Sequence, residues 1–143
     1  MPTEAGAIRV ATLIGDAIRD SRASEVVVEF PDTKGQPFSV VRFHPTKPGA
    51  VPVVVMINYD LTYQIEAAQY TINESVSPDA PAEVVQDVVA KVLAISRSGL
   101  SVTRRWPALG RFSPTEIRAG STFQSSAAGW RFSKVNEEWS PWS

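Results

Sequence analysis

A single histidine, His44, and no cysteine leave this chain of 143 residues few routes to covalent or metal chemistry. A relay of Ser, His and a carboxylate would have to be built on His44 alone. In RFHPTKPG that histidine closes a predicted strand just before Pro45, the place of a solvated side chain rather than a base. No serine stands in a nucleophile-elbow context. Without thiolates or a second imidazole, only carboxylate-rich Ca²⁺ or Mg²⁺ sites remain, and no Asp-x-Asp-x-Asp-Gly loop occurs, so neither metal nor cofactor is expected. Asp60 and Glu66 share a face of one extended segment, but six residues of strand span about 20 Å. A carboxylate pair that hydrolyses glycosides sits about 5–10 Å apart. Phosphate-cradling glycine loops are missing, and Asn-Glu-Ser at Asn73 is a three-residue coincidence with a glycosylation acceptor. The residues argue against an enzyme.

What remains is charge. Residues 48–90 contain Asp60, Glu66, Glu74, Asp79, Glu83 and Asp87 with no Lys or Arg, a formal −6. Residues 97–118 contain Arg97, Arg104, Arg105, Arg111 and Arg118 against Glu116, a formal +4, so the net charge of −1 conceals two opposed segments. The acidic block coincides with VPVVVMINYDLTYQIEA, where every odd position from Val51 to Ala67 is apolar and polar groups hold the even positions from Asn58 to Glu66. That alternation marks extended chain with one buried face. At 17 residues it exceeds the usual strand length of about five or six, so a turn near Asn58, Tyr59 and Asp60 should divide it. The arginines beside Trp106 could hold phosphates and stack a base, but with no nucleic-acid motif and a pI near 5.8 nucleic acid is not the expected partner.

The elements that would carry these faces follow from periodicity. Ile8, Ala11, Leu13, Ile14, Ala17 and Ile18 recur at helical spacing over residues 5–20. SEVVVEF and QPFSVVRFH flank a Pro, Asp and Gly turn, the hairpin pattern of two β-branched or aromatic runs. SVSPDAPAEVVQDVVAKVLAISRSG has an acidic start, Pro81 in its first turn, a Val-rich stripe and Gly99 as a stop, so it is predicted to be a long second helix. LSVTRRW is predicted to be another strand. Beyond Trp106 periodicity dissolves, leaving loop with one hairpin from STFQSS and GWRFSKV. The expected fold is α+β: an antiparallel sheet of about four to six strands, with the N-terminal helix and the second helix packed on one face. One domain is expected over 1–143, with a core at about 5–106 and an irregular segment 107–143 holding Trp130, Trp139 and Trp142. Those tryptophans either close the domain's own sheet or anchor a partner.

Arg9 and Asp16 interrupt the apolar N-terminal stretch, so no secretory signal is expected, and Val51–Ile57 is too short to span a bilayer. The expected location is cytoplasmic, with no membrane contact. In element order alone, over roughly residues 5–105, the chain is similar to cytosolic secretion chaperones and to some immunity proteins that neutralise toxins. That resemblance includes no motif whose residues carry over.

The leading expectation is a non-enzymatic protein-binding module, of the inhibitor or chaperone kind, that captures a protein partner with a basic surface. Its recognition residues would be Asn58, Asp60, Thr62, Gln64 and Glu66 on the strands, with Glu83 and Asp87 on the adjacent helix. The alternative is a small-molecule-binding or enzymatic α+β domain, with a pocket between sheet and Val-rich helix lined by Tyr59, Tyr63 or Tyr70. Self-association into a homodimer through an apolar patch or open strand edge is a third.

Overall fold

A computed structural model describes residues 4–31, 38–68, 70–74, 80–104, 113–119, 123–129 and 135–143. The chain runs through α1 (Glu4–Ser21), β1 (Val26–Glu29), β2 (Phe38–Pro45), β3 (Val53–Asn58), β4 (Tyr63–Ala67), β5 (Tyr70–Glu74), α2 (Pro81–Ser98), β6 (Leu100–Arg104), β7 (Ser113–Ala119), β8 (Phe123–Gly129) and β9 (Val135–Trp139). The α+β expectation holds: β1 to β5 form a five-stranded antiparallel meander, and both helices lie against it.

The meander works because its registers preserve parity. Val53, Val55 and Ile57 on β3 face Ala67, Ile65 and Tyr63 on β4, and Val41 and Phe43 on β2 face Val55 and Val53. Odd residues therefore meet odd residues, and all of these are buried. A one-residue slip would turn the whole set to the opposite face. The helices cover that odd face. Ala7, Val10, Ala11, Ile14 and Ile18 of α1 and Val84, Val88, Val92 and Ile95 of α2 are the buried stripes. Valine is a mediocre helix former, so packing rather than propensity sustains α2. Pro81 occupies its first turn, and the Gly99 N–H donates to the Ile95 carbonyl at 2.9 Å, as the sequence predicts.

The turn that splits the 17-residue alternation spans Asn58 to Thr62. Leu61 N–H donates to the Asn58 carbonyl at 2.9 Å, Asn58 N–H to the Thr62 carbonyl at 2.8 Å, and the Asp60 carboxylate accepts Thr62 N–H at 2.9 Å and its hydroxyl at 2.6 Å. This three-residue connection requires a left-handed residue, and Leu61, at φ +68°, fills that role instead of glycine.

Past residue 106 the structure differs from expectation. β6 lies inside a second antiparallel sheet ordered β8, β7, β6, β9, in which β7 and β8 form a hairpin. The FQSS part of STFQSS is extended as expected, within β8, but pairs with β7; SPTEIRA and VNEEW lack the alternation of large apolar residues that announces a strand, and their partners supply the ladder. The expected strand at GWRFSKV falls largely outside the described residues, as do Asp79, Arg105, Trp106, Arg111 and Trp130.

The C-terminus is fastened into the first sheet's core. Val51 N–H donates to the Ser140 carbonyl at 3.1 Å, and Ser140 N–H to the Gly49 carbonyl at 2.9 Å. Trp142, 1% exposed, tilts against Phe43 with ring centroids 6.1 Å apart. Its indole N–H donates to the Val51 carbonyl at 2.7 Å, and its backbone N–H to the Ser96 carbonyl at 2.9 Å. Gly99 makes room for this strap: its φ is +70°, and a Cβ there would lie 2.3 Å from the Trp139 carbonyl oxygen. Of the two roles open to Trp142, it serves its own core. Trp142→Ala should cost about 3–5 kcal/mol in urea unfolding, the usual range for a buried large aromatic. Deleting residues 137–143 should abolish cooperative unfolding, and retention of wild-type stability in either variant would refute the strap's role.

Candidate functional site

α1 and α2 lie side by side on the sheet, and α2 is apolar over a wider arc than the sheet can cover. Val84, Val88 and Val92 point into the core, while their neighbours Val85, Val89 and Leu93 are only partly buried. On α1, Gly6, Arg9, Val10, Leu13 and Ala17 recur at helical spacing beside the buried stripe. Between these rows runs a cleft of about 730 Å³, bordered by Leu61 of the turn and, on α2, by Pro81, Ala82 and Val85. Leu13 remains 46% exposed there, one of the two large apolar side chains that stand out on the described surface.

Leu61 is placed at cost. A left-handed conformation costs a residue with a Cβ about 1–2 kcal/mol, and a bulky one adopts it seldom. The bonds of Asn58, Asp60 and Thr62 fix the turn, and Leu61 side-chain packing against the core accompanies them. Strained positions that persist in this way cluster at binding and active sites.

The expected recognition residues separate into three groups. Asn58, Asp60 and Thr62 bond to one another in the turn. Those bonds from Thr62 hold the exposed Asp60 carboxyl below its usual range, so it stays ionised. Gln64 and Glu66 belong to the even, outward face of β4, where Gln64 donates to Glu66 at 3.1 Å. Arg42 lies in the same rank across β3, so that face is mixed in charge rather than acidic. Glu83 and Asp87 are on α2, which covers the opposite side of the sheet. Asp60 and Glu83, both exposed, are the chain neighbours of the cleft residues Leu61 and Ala82. The structure thus brings the turn and the start of α2 together at the cleft and leaves Gln64 and Glu66 on another surface.

Asp87 has local partners. It accepts a hydrogen bond from the Tyr63 hydroxyl and another, at 2.9 Å, from Lys91, whose ammonium also donates to the Tyr63 oxygen at 3.0 Å and sits over the Tyr63 ring. Burial opposes ionisation of Asp87, but bonds from Tyr63 and Lys91 outweigh it and lower its pKa. Burial also works against the Lys91 charge, and its bonds to Tyr63 and Asp87 raise it above its ordinary value. Tyr63 is raised by burial and by its bond to Asp87. Tyr59 and Tyr70 pack against the core, and among the described residues no tyrosine lines the cleft. The expected tyrosine-lined pocket is therefore not this cavity.

Sequence reading missed Arg9, Leu13, Val85 and Lys91. The paired apolar positions Val84 with Val85, Val88 with Val89 and Val92 with Leu93 were the available signal, since such doubling marks a stripe too broad for one contact. Lys91, four residues after Asp87 and one beyond the acidic block, was legible as its helical partner. Among the described residues no group of three or more His, Asp or Glu is set to hold a metal ion, and no helix is long and apolar enough to cross a membrane. No family model, curated protein or solved structure matches the chain.

The trio predicts a stability profile. Asp87, with its folded pKa lowered, contributes above its unfolded pKa and loses that contribution as pH falls through the folded value. Lys91 and Tyr63, both raised, contribute below their unfolded values and lose it as pH rises through the folded ones. The stability gap between wild type and Asp87→Asn should narrow from about pH 5 down to about pH 2, measured by urea unfolding. A gap that stays constant would remove Asp87 as a stabilising charge.

Proposed function

We propose that the protein is a binding module that holds a basic, amphipathic helical segment of a partner protein in the cleft between α1 and α2. The observation that carries this reading is the cleft itself, an apolar trough between two helices with Leu13 exposed on its wall. A helix laid in such a groove inserts apolar side chains at positions i, i+3, i+4 and i+7. Arg9 in the lining requires an uncharged stripe against it, so lysines or arginines would have to lie outside the cleft, where the exposed Asp60 and Glu83 could steer association. Asp87 adds little, because Lys91 already offsets it. The acidic recognition surface expected on the strands moves, in this reading, to the turn and the first turn of α2.

The cavity volume also lies within the range of small-molecule sites, about 300–1,000 Å³, which favours a small apolar ligand as the second reading. Among the described residues Arg9 is the one ionisable side chain in the cleft lining, so a small ligand would find few groups to orient it. A long apolar stripe needs fewer.

A fluorescent synthetic helix of about 18 residues, with a leucine stripe and lysine flanks, is the direct probe. Fluorescence anisotropy should show saturable binding that weakens with salt, and little binding when the lysines are replaced by glutamates. Leu13→Glu and Glu83→Lys should each reduce affinity about tenfold or more. Equal binding of the two peptides, or unchanged affinity in the Leu13→Glu variant, would refute the reading.

A further inference from the structure

The face of the sheet opposite the helices carries a second surface, independent of the cleft. One complete rank crosses all five strands on that side: Glu29, Arg42, Val54, Glu66 and Thr71 are successive neighbours from β1 to β5. The next rank runs through Val40, which is only 7% exposed, Met56 and Gln64. The second sheet meets α2 and the edge strand β5, and the exposed part of this face lies around Arg42, Val54, Met56 and Glu66, away from the buried Val40. Val27, on the same face through its pairing with His44, is 59% exposed. Val54 and Met56 are partly exposed at the centre.

The charges on this face are arranged about β3. Arg42 and Glu66 flank Val54 on the two neighbouring strands, at about 4.8 Å to either side. With Val54 between them they are not paired to each other, and Glu66 accepts its hydrogen bond from Gln64 on its own strand. A two-fold axis drawn along β3 in the plane of contact exchanges the two flanks. It lays β2 of one copy over β4 of another, so that each Arg42 faces Glu66 of the partner subunit, while Val54 and Met56 meet their own counterparts on the axis. Each Glu29 then faces Thr71 of the partner subunit. A two-fold contact requires such self-complementarity. The same exchange would set like charges together had Arg42 and Glu66 the same sign.

We propose that this open face is a homodimer interface, with a two-fold axis along β3 that pairs Arg42 of each copy with Glu66 of the other around a Val54 and Met56 centre. Stacked sheets lie about 10 Å apart, a gap that Arg and Glu side chains bridge from opposite sides. Five strands about 4.8 Å apart and six residues of about 3.3 Å each give a footprint of about 24 by 20 Å. That is the scale of a small interface, so the dimer is a weak, concentration-dependent one. The two clefts stay outside it, on the far side of each sheet.

Analytical ultracentrifugation of the full chain at low salt over a wide concentration range tests this. The wild type should move from monomer to dimer mass as concentration rises, and added salt should shift it back. Arg42→Glu and Glu66→Arg, each placing like charges opposite one another, should each weaken dimerisation about tenfold or more. Mixing these two variants should restore dimers, because the two introduced charges then face each other with opposite sign, while the native Arg42 and Glu66 do the same at the other contact across the axis. The double variant Arg42→Glu with Glu66→Arg should dimerise as the wild type does. A wild type that stays monomeric throughout, single variants that dimerise normally, or a double variant that fails to recover would each overturn the proposal. None of these results bears on peptide binding in the cleft, which is read separately by anisotropy.

Discussion

Seven of the nine odd-numbered apolar positions from Val51 to Ala67 leave water together, and the fold is organised by that requirement. A turn whose registers preserve parity keeps Val53, Val55, Ile57, Tyr63, Ile65 and Ala67 on one side. One face of the sheet thus becomes a continuous apolar surface that a single helix is too narrow to cover. α1 and α2 cover it as a pair, and Trp142 fills the space beside Phe43. The C-terminal strap is part of the same solution. Its indole N–H satisfies the Val51 carbonyl, and Gly99 lets the backbone pass where a Cβ would collide with the Trp139 carbonyl.

Two helices side by side on a sheet meet along a seam, and the cleft lies along it. Its apolar lining comes from Pro81, Ala82 and Val85 at the start of α2 and from the second row of α1. Leu61 borders it from a left-handed turn position that glycine or asparagine would occupy with less strain. The turn's hydrogen bonds to Asp60 and Thr62 offset part of that strain.

Charge shows how chain order and spatial order part company. The −6 block of residues 48–90 suggests one acidic surface, but its members face different ways. Asp87 is matched by Lys91, the first cation after the block, and Glu66 shares its rank with Arg42 from an earlier strand. Asp60 and Glu83 are exposed on separate elements, the β3–β4 turn and the first turn of α2. A run of like charge along the chain is therefore a poor guide to a surface when strands and helices alternate within it.

The sequence by itself determined the helices, the split of the long alternation near Asp60, the stop at Gly99 and the choice of buried face, because each depends on local periodicity or on a single backbone conformation. It signalled β8 through STFQSS but left β7 and β9 unannounced, because SPTEIRA and VNEEW owe their extended form to ladder partners rather than to their own pattern. Tertiary structure alone decided where Trp142 docks, which partners the acidic residues find, and that Leu13, Leu61 and Val85 bound one cleft. Those outcomes depend on the packing of elements distant in the chain, and neither spacing nor composition encodes the angle at which two helices cross a sheet.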